Sequence, residues 1–106
     1  MILTTKLADK LLNSEFIKKS YPTIDNIKTY VVWDGDEENP LYTLFIGVNL
    51  NDPSVTSENL YEKGLDPYTL IRDYVKILLK IAGFNLRDII QIDVLIRNSN
   101  GEIVYG

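Results

Sequence analysis

Neither cysteine nor histidine occurs anywhere in the 106 residues. Their joint absence removes thiol nucleophiles, disulfides, zinc sites of the Cys/His kind and imidazole acid–base catalysis. A serine or threonine nucleophile would then need a lysine base, and no lysine stands in a motif that proposes one. Gly35, Gly47, Gly64, Gly83 and Gly101 stand singly, so no glycine-rich loop is present to cradle a phosphate. Long apolar runs are missing too. The first twelve residues already contain Lys6, Asp9 and Lys10, and no stretch approaches the roughly 20 apolar residues of a membrane span; a soluble, cytoplasmic protein with no membrane partner is expected. Positive charge is in the minority, with 11 basic against 15 acidic side chains and a formal charge of -4. A field of that sign repels a phosphate backbone, so no direct nucleic-acid partner is expected.

What is present has the balance of an ordinary globular chain, 45% hydrophobic and 25% charged. At this length one core and one α+β domain spanning residues 1–106 are expected. Thr4 or Thr5 caps a helix whose Leu7, Leu11 and Leu12 recur at helical spacing and continue through Phe16 and Ile17, with Asn13-Ser14 as a break. Pro22 drives the residue before it out of the α region, ending the helical segment at Ser20-Tyr21-Pro22. From Ile27 to Trp33 the chain alternates as a strand, and Leu41 to Leu50 pairs back across the charged connection Asp34 to Pro40. Asn49 to Gly64 lacks clear periodicity, and a loop of that length is often functional or mobile.

Asp66-Pro67 opens the best-defined helix, Pro67 to Ala82, closed by Gly83. Leu70, Ile71, Tyr74, Val75, Ile77, Leu78 and Ile81 form its apolar face. Ile90, Ile92, Val94 and Ile96 alternate with Gln91, Asp93, Leu95 and Arg97 in a half-buried strand, and the predicted packing sets the first four against Ile71, Tyr74, Leu78 and Ile81. Asn98-Ser99-Asn100-Gly101 then signals a hairpin in which Asn and Gly both take positive φ, and Glu102 to Tyr105 returns. The order reads α-ββ-α-ββ. Laying Tyr21 on Phe84 brings Asp25 onto Asp88, Ile27 onto Ile90, Val31 onto Val94 and Tyr42 onto Tyr105, a match that duplication or convergence would equally produce. The expected fold is a four-stranded, mostly antiparallel sheet of two hairpins with helices on one face, with a permuted ferredoxin-like sandwich as one outcome.

Three groups of side chains invite a functional reading. Asp34, Asp36, Glu37 and Glu38 suggest a hard-cation loop, but the glycine and the acidic ligand that a calcium loop carries at its sixth and twelfth positions are replaced by Asn39 and Phe45. A solvated turn is expected there, with no metal or cofactor. Asp25, Asp88 and Asp93 would form a carboxylate pair for acid–base work only if the halves packed symmetrically. The third group is apolar: Tyr30, Val32, Phe45 and Leu95 lie opposite the predicted core positions, flanked by Lys28, Gln91, Asp93 and Arg97. Such a strip marks a contact surface for another protein or a second copy, unless the 49–64 segment or the first helix covers it. The function expected is therefore a small acidic, non-enzymatic binding or regulatory module acting through that strip. The alternatives are a carboxylate and metal-dependent enzyme built on the acidic loop, and an acidic decoy of a nucleic-acid-binding protein.

Overall fold

The computed structural model describes residues 1–106. Helices α1 (Thr5–Leu12) and α2 (Glu15–Ser20) precede strands β1 (Ile24–Gly35) and β2 (Pro40–Leu50). A long helix α3 (residues 67–81), a 3-10 turn (Leu86–Asp88) and strands β3 (Ile89–Arg97) and β4 (Ile103–Tyr105) follow. The sheet order is β1-β2-β3-β4. Its outer pairs are antiparallel hairpins and its central pair, β2 with β3, is parallel. This is the four-stranded α+β sheet that the alternation predicts. A split β-α-β arrangement would keep a strand between the two parallel ones, whereas here α3 carries the chain directly from β2 to its neighbour β3. The second hairpin also runs inverted with respect to the first, which separates Asp25 and Asp88 to opposite ends of β2.

One cluster of 22 buried apolar side chains forms the core. Cross-strand register stacks Ile27 on Val48 and Val31 on Leu44, then Leu44 on Ile92, Ile46 on Val94 and Val48 on Ile96, all on the helix-covered face. Val55, Leu60 and Leu65 are buried from within the 49–65 connection, which therefore packs rather than floats. The buried Asn98 ties that connection to the β3–β4 turn. Its amide nitrogen donates to Val55 O (3.1 Å) and Glu102 Oε1 (3.1 Å), and its oxygen accepts from the backbone N–H of Asn100 (3.0 Å) and Glu102 (3.1 Å). The turn itself corrects the expectation: Gly101 alone has positive φ (80°), and its N–H donates to Asn98 O at 3.0 Å. That is the longer hairpin loop with a left-handed glycine, so Asn100 stays in ordinary backbone space.

The long helix also departs from its predicted face. Asp66 caps it, accepting from the Tyr68 N–H and the Thr69 hydroxyl at 3.0 Å each. From Leu70 to Val75 the helix is of the π type, with the Lys76 N–H donating to Ile71 O five residues back. One extra residue in a turn rotates everything after it by about 100° relative to a regular α-helix. The buried series becomes Leu70, Val75 and Leu79, while Ile77 and Ile81 turn to solvent and Ile81 is 76% exposed. Ile90 is likewise not in the core: it falls where the β2–β3 register slips between Tyr42 and Thr43 and is 62% exposed, while Ile89 takes the place opposite Tyr42.

Helix α1 lies along the outer edge of β1 and satisfies its Ile27–Val31 stretch. Thr5, Asp9 and Asn13 recur every four residues, an advance of about 6 Å on a helix. Alternate residues of a strand advance about 6.7 Å. The match lets the three side chains meet successive outward N–H groups: Val31 N–H donates to Thr5 Oγ1 (3.0 Å), Thr29 N–H to Asp9 Oδ1 (2.6 Å) and Ile27 N–H to Asn13 Oδ1 (2.8 Å). Asn13 also donates to Ile27 O at 2.7 Å, so its amide pairs with Ile27 as a neighbouring peptide would. Ala8 and Leu12, on the other side of the same helix, enter the core.

Between α2 and α3, the Tyr74 ring packs 5.2 Å from Phe16 and edge-on to Tyr21 at 5.1 Å. Burial, then the neighbouring Tyr74, Asp66 and Asp73, push the Tyr21 hydroxyl from 10.0 up to about 12. A raised phenol favours the neutral form, so its contribution is fully present below pH 10.0 and disappears as pH rises toward 12. We expect alkaline unfolding to show a loss of stability across that window, and Tyr21→Phe to lack that component. Denaturant midpoints measured from about pH 9 upward read it directly.

Candidate functional site

The face of the sheet turned away from the helices carries the apolar strip. Register sets Tyr30 beside Phe45 and Phe45 beside Asp93 in one row, and Val32, Thr43 and Gln91 in the next. A further row holds Lys28, Gly47 and Leu95. The Tyr30 and Phe45 rings lie 6.3 Å apart. Neither the 49–65 connection nor α1 covers them: Tyr30 is 63% exposed, Phe45 40% and Val32 38%. All four strip residues therefore share one surface, with Leu95 half-buried in it. The flanking charges fall as alternation places them, and Gln91 Nε2 donates to Asp93 Oδ2 at 2.9 Å.

Three further residues of this face escaped the sequence reading. Leu41, paired with Asp34, and Ile103, paired with Arg97, extend the strip at its two ends and are 41% and 57% exposed. Each sits at a strand terminus, where too few residues alternate to assign a side. Gly47 is the third. It opens a notch between Lys28, Phe45 and Leu95, and a Cβ there would meet only Lys28 O at 3.5 Å, an ordinary contact. The notch belongs to a groove of about 960 Å³ that runs from the strip around the margin of β3 to Tyr68 and Ile71 of α3 and Tyr105 of β4. Burial raises the Tyr105 hydroxyl above its ordinary value, with Tyr68 and Tyr61 adding to it. Tyrosine and phenylalanine around a recess of this size suit a partner with an apolar body and polar edges.

The acidic residues do not converge. Asp36 Oδ1 accepts from the N–H groups of Glu38 (3.0 Å) and Asn39 (2.7 Å), so its carboxylate closes the hairpin turn from inside. Gly35 completes the turn with φ 81°, where a Cβ would collide with Asn39 O. No three acidic side chains in the chain gather as a metal would require. Asp25 meets only Asn26 (3.3 Å), Asp88 belongs to the 3-10 turn at the far end of the sheet, and Asp93 stands mid-strand on the strip face. The carboxylate pairing considered from the sequence is thus ruled out by the inverted second hairpin. No helix is long and apolar enough to cross a membrane. Comparison of the chain with protein-family models, curated proteins and solved structures returned no significant match.

Proposed function

We propose that this protein is a small acidic binding or regulatory module that engages another protein through the strip of Tyr30, Val32, Phe45 and Leu95. The observation that supports this reading most is the uncovered state of the strip: large apolar side chains occupy consecutive rows of a sheet face to which no element of the chain returns. Burying such rings against a partner recovers the hydrophobic free energy that solvent exposure forfeits, and the rim of Lys28, Gln91, Asp93 and Arg97 sets orientation. The Gly47 notch gives the partner a place to seat one side chain. The reaction chemistry of an enzyme has no comparable support, because the groove brings one carboxylate, Asp93, among its lining residues.

The test compares capture from the native host by the wild-type chain and by Tyr30→Ser combined with Phe45→Ser. We expect the retained protein to be lost, since removing central aromatics from an interface costs about 2 kcal/mol or more of binding. The denaturant midpoint should move far less. Gly47→Ala serves as a second variant: it fills the notch at a position with room for a Cβ, and it should weaken capture while leaving the fold intact. Equal yields of the same partner from all three chains would sink the reading.

A further inference from the structure

The first hairpin is longer than the layers that cover it. Helix α1 bonds β1 no further than Val31, and β3 begins opposite Tyr42. Val32 to Leu41 therefore run on as a two-stranded arm, in keeping with the elongated 45 × 22 × 20 Å outline of the molecule. On the helix side the cover stops at Tyr42, where the Phe84 ring packs edge-on and the Tyr42 hydroxyl accepts from the Leu3 N–H at 3.1 Å. Trp33, the cross-strand partner of Tyr42 on that face, is 42% exposed. Charge is divided between the arm and its root. No basic side chain occurs between Lys28 and Lys63, and the arm ends in Asp34, Asp36, Glu37 and Glu38. Asp36 is engaged inside the turn, which leaves Glu37 and Glu38 exposed at the tip. At the root, Lys6 at the start of α1, Lys80 in the last turn of α3 and Arg87 in the 3-10 turn before β3 are exposed at the same end of the helix layer. None of these charges is in an ion pair, since the two in the chain join Lys63 to Asp52 and Arg72 to Asp73.

We propose that the arm of one copy docks on the root of a second copy, while the second arm docks on the first root. At about 3.3 Å per residue the tip lies roughly 10 Å or more beyond Trp33, and a hydrogen-bonded strand pair cannot bend it back to the cations of its own root. A two-fold axis across two arms laid head to head brings each tip beside the other root with the same offset, so the contact closes at two copies. The helix-side faces of the arms then meet. Trp33 packs against Trp33, and Glu37 and Glu38 of each copy come to Lys6, Lys80 and Arg87 of the other. Beyond Trp33 that face carries only Gly35 and Pro40, so no long side chain holds the copies apart. Tyr30, Val32 and Phe45 stand on the opposite face, which makes the proposal independent of the strip reading.

Charge reversal on exposed side chains tests it. Light scattering should give the wild-type chain twice its 12.1 kDa mass, with dissociation on dilution. Trp33 is the single tryptophan, so its emission should shift to the blue as the dimer forms. Glu37→Lys with Glu38→Lys sets cation against cation, and Lys80→Glu with Arg87→Glu sets anion against anion. Each pair alone should raise the dissociation constant by about tenfold or more. Mixed in equal amounts, the two variants should dimerise again, because one contact regains opposite charges in reversed sense and the other is the wild-type contact. Tyr30→Ser with Phe45→Ser should leave the mass unchanged. A wild-type chain that stays at 12.1 kDa up to about millimolar concentration overturns the proposal. So does a dimer that survives both reversals, a mixture that stays monomeric, or a dimer lost only when the strip is truncated.

Discussion

Leu79→Ala is expected to destabilise the fold by about 2 to 5 kcal/mol, while Ile81→Ala, two residues on, should change it by less than about 0.5 kcal/mol. A regular α-helix through Leu70, Tyr74 and Ile81 predicts the reverse. In the structure the Leu79 side chain is fully buried and Ile81 is 76% exposed, because the π turn between Leu70 and Val75 advances the helix by one extra residue. Removing Leu79 leaves a cavity under the helix that connects the two parallel strands, and the surrounding core can close it only in part. Urea denaturation of the two variants side by side decides the matter. Similar midpoints for both would mean that the π turn is absent in solution.

Asn98→Leu is the second large effect, about 2 to 4 kcal/mol, although it replaces a polar side chain by an apolar one of similar volume at a buried position. The cost lies in what is left behind: Val55 O and the N–H groups of Asn100 and Glu102 lose their partners together. Asn98→Asp keeps the accepting half of the set and loses the donating half, now beside the Glu102 carboxylate. That variant should be unstable near neutrality and recover toward about pH 4, where a carboxyl again becomes a donor. Thermal midpoints for both variants across that range provide the check.

Strand alternation carried most of what was legible in the sequence. Rows such as Tyr30 with Phe45 follow from period two once the hairpin is recognised, and the Asp66-Pro67 start and Gly83 end of α3 follow from capping chemistry. What remained hidden depended on single-residue slips. The π turn changes the phase of Leu79 and Ile81 without altering composition, and the register shift at Thr43 ejects Ile90 from the face that its own period assigns to it. The direction of the second hairpin was hidden for a different reason. Whether β3 lands parallel or antiparallel to β2 depends on the path of the crossover, and no local pattern encodes that path; the supposed pairing of Asp25 with Asp88 failed on that point alone. Gly47 was missed because a strand glycine marks a bulge, a bend or a close approach alike, and the sequence does not say which.

The ladder of Thr5, Asp9 and Asn13 along β1 has a consequence for how far association of this sheet can go. A sheet with two bare margins is a monomer of a fibre: each added strand presents a new margin to the next, and growth has no natural end. Here the Ile27–Val31 stretch of one margin is already occupied by side chains of the chain's own N-terminal helical segment, so that stretch is closed to strand addition. The helix that looks like a minor N-terminal appendage thereby acts as a stopper along that stretch of the sheet.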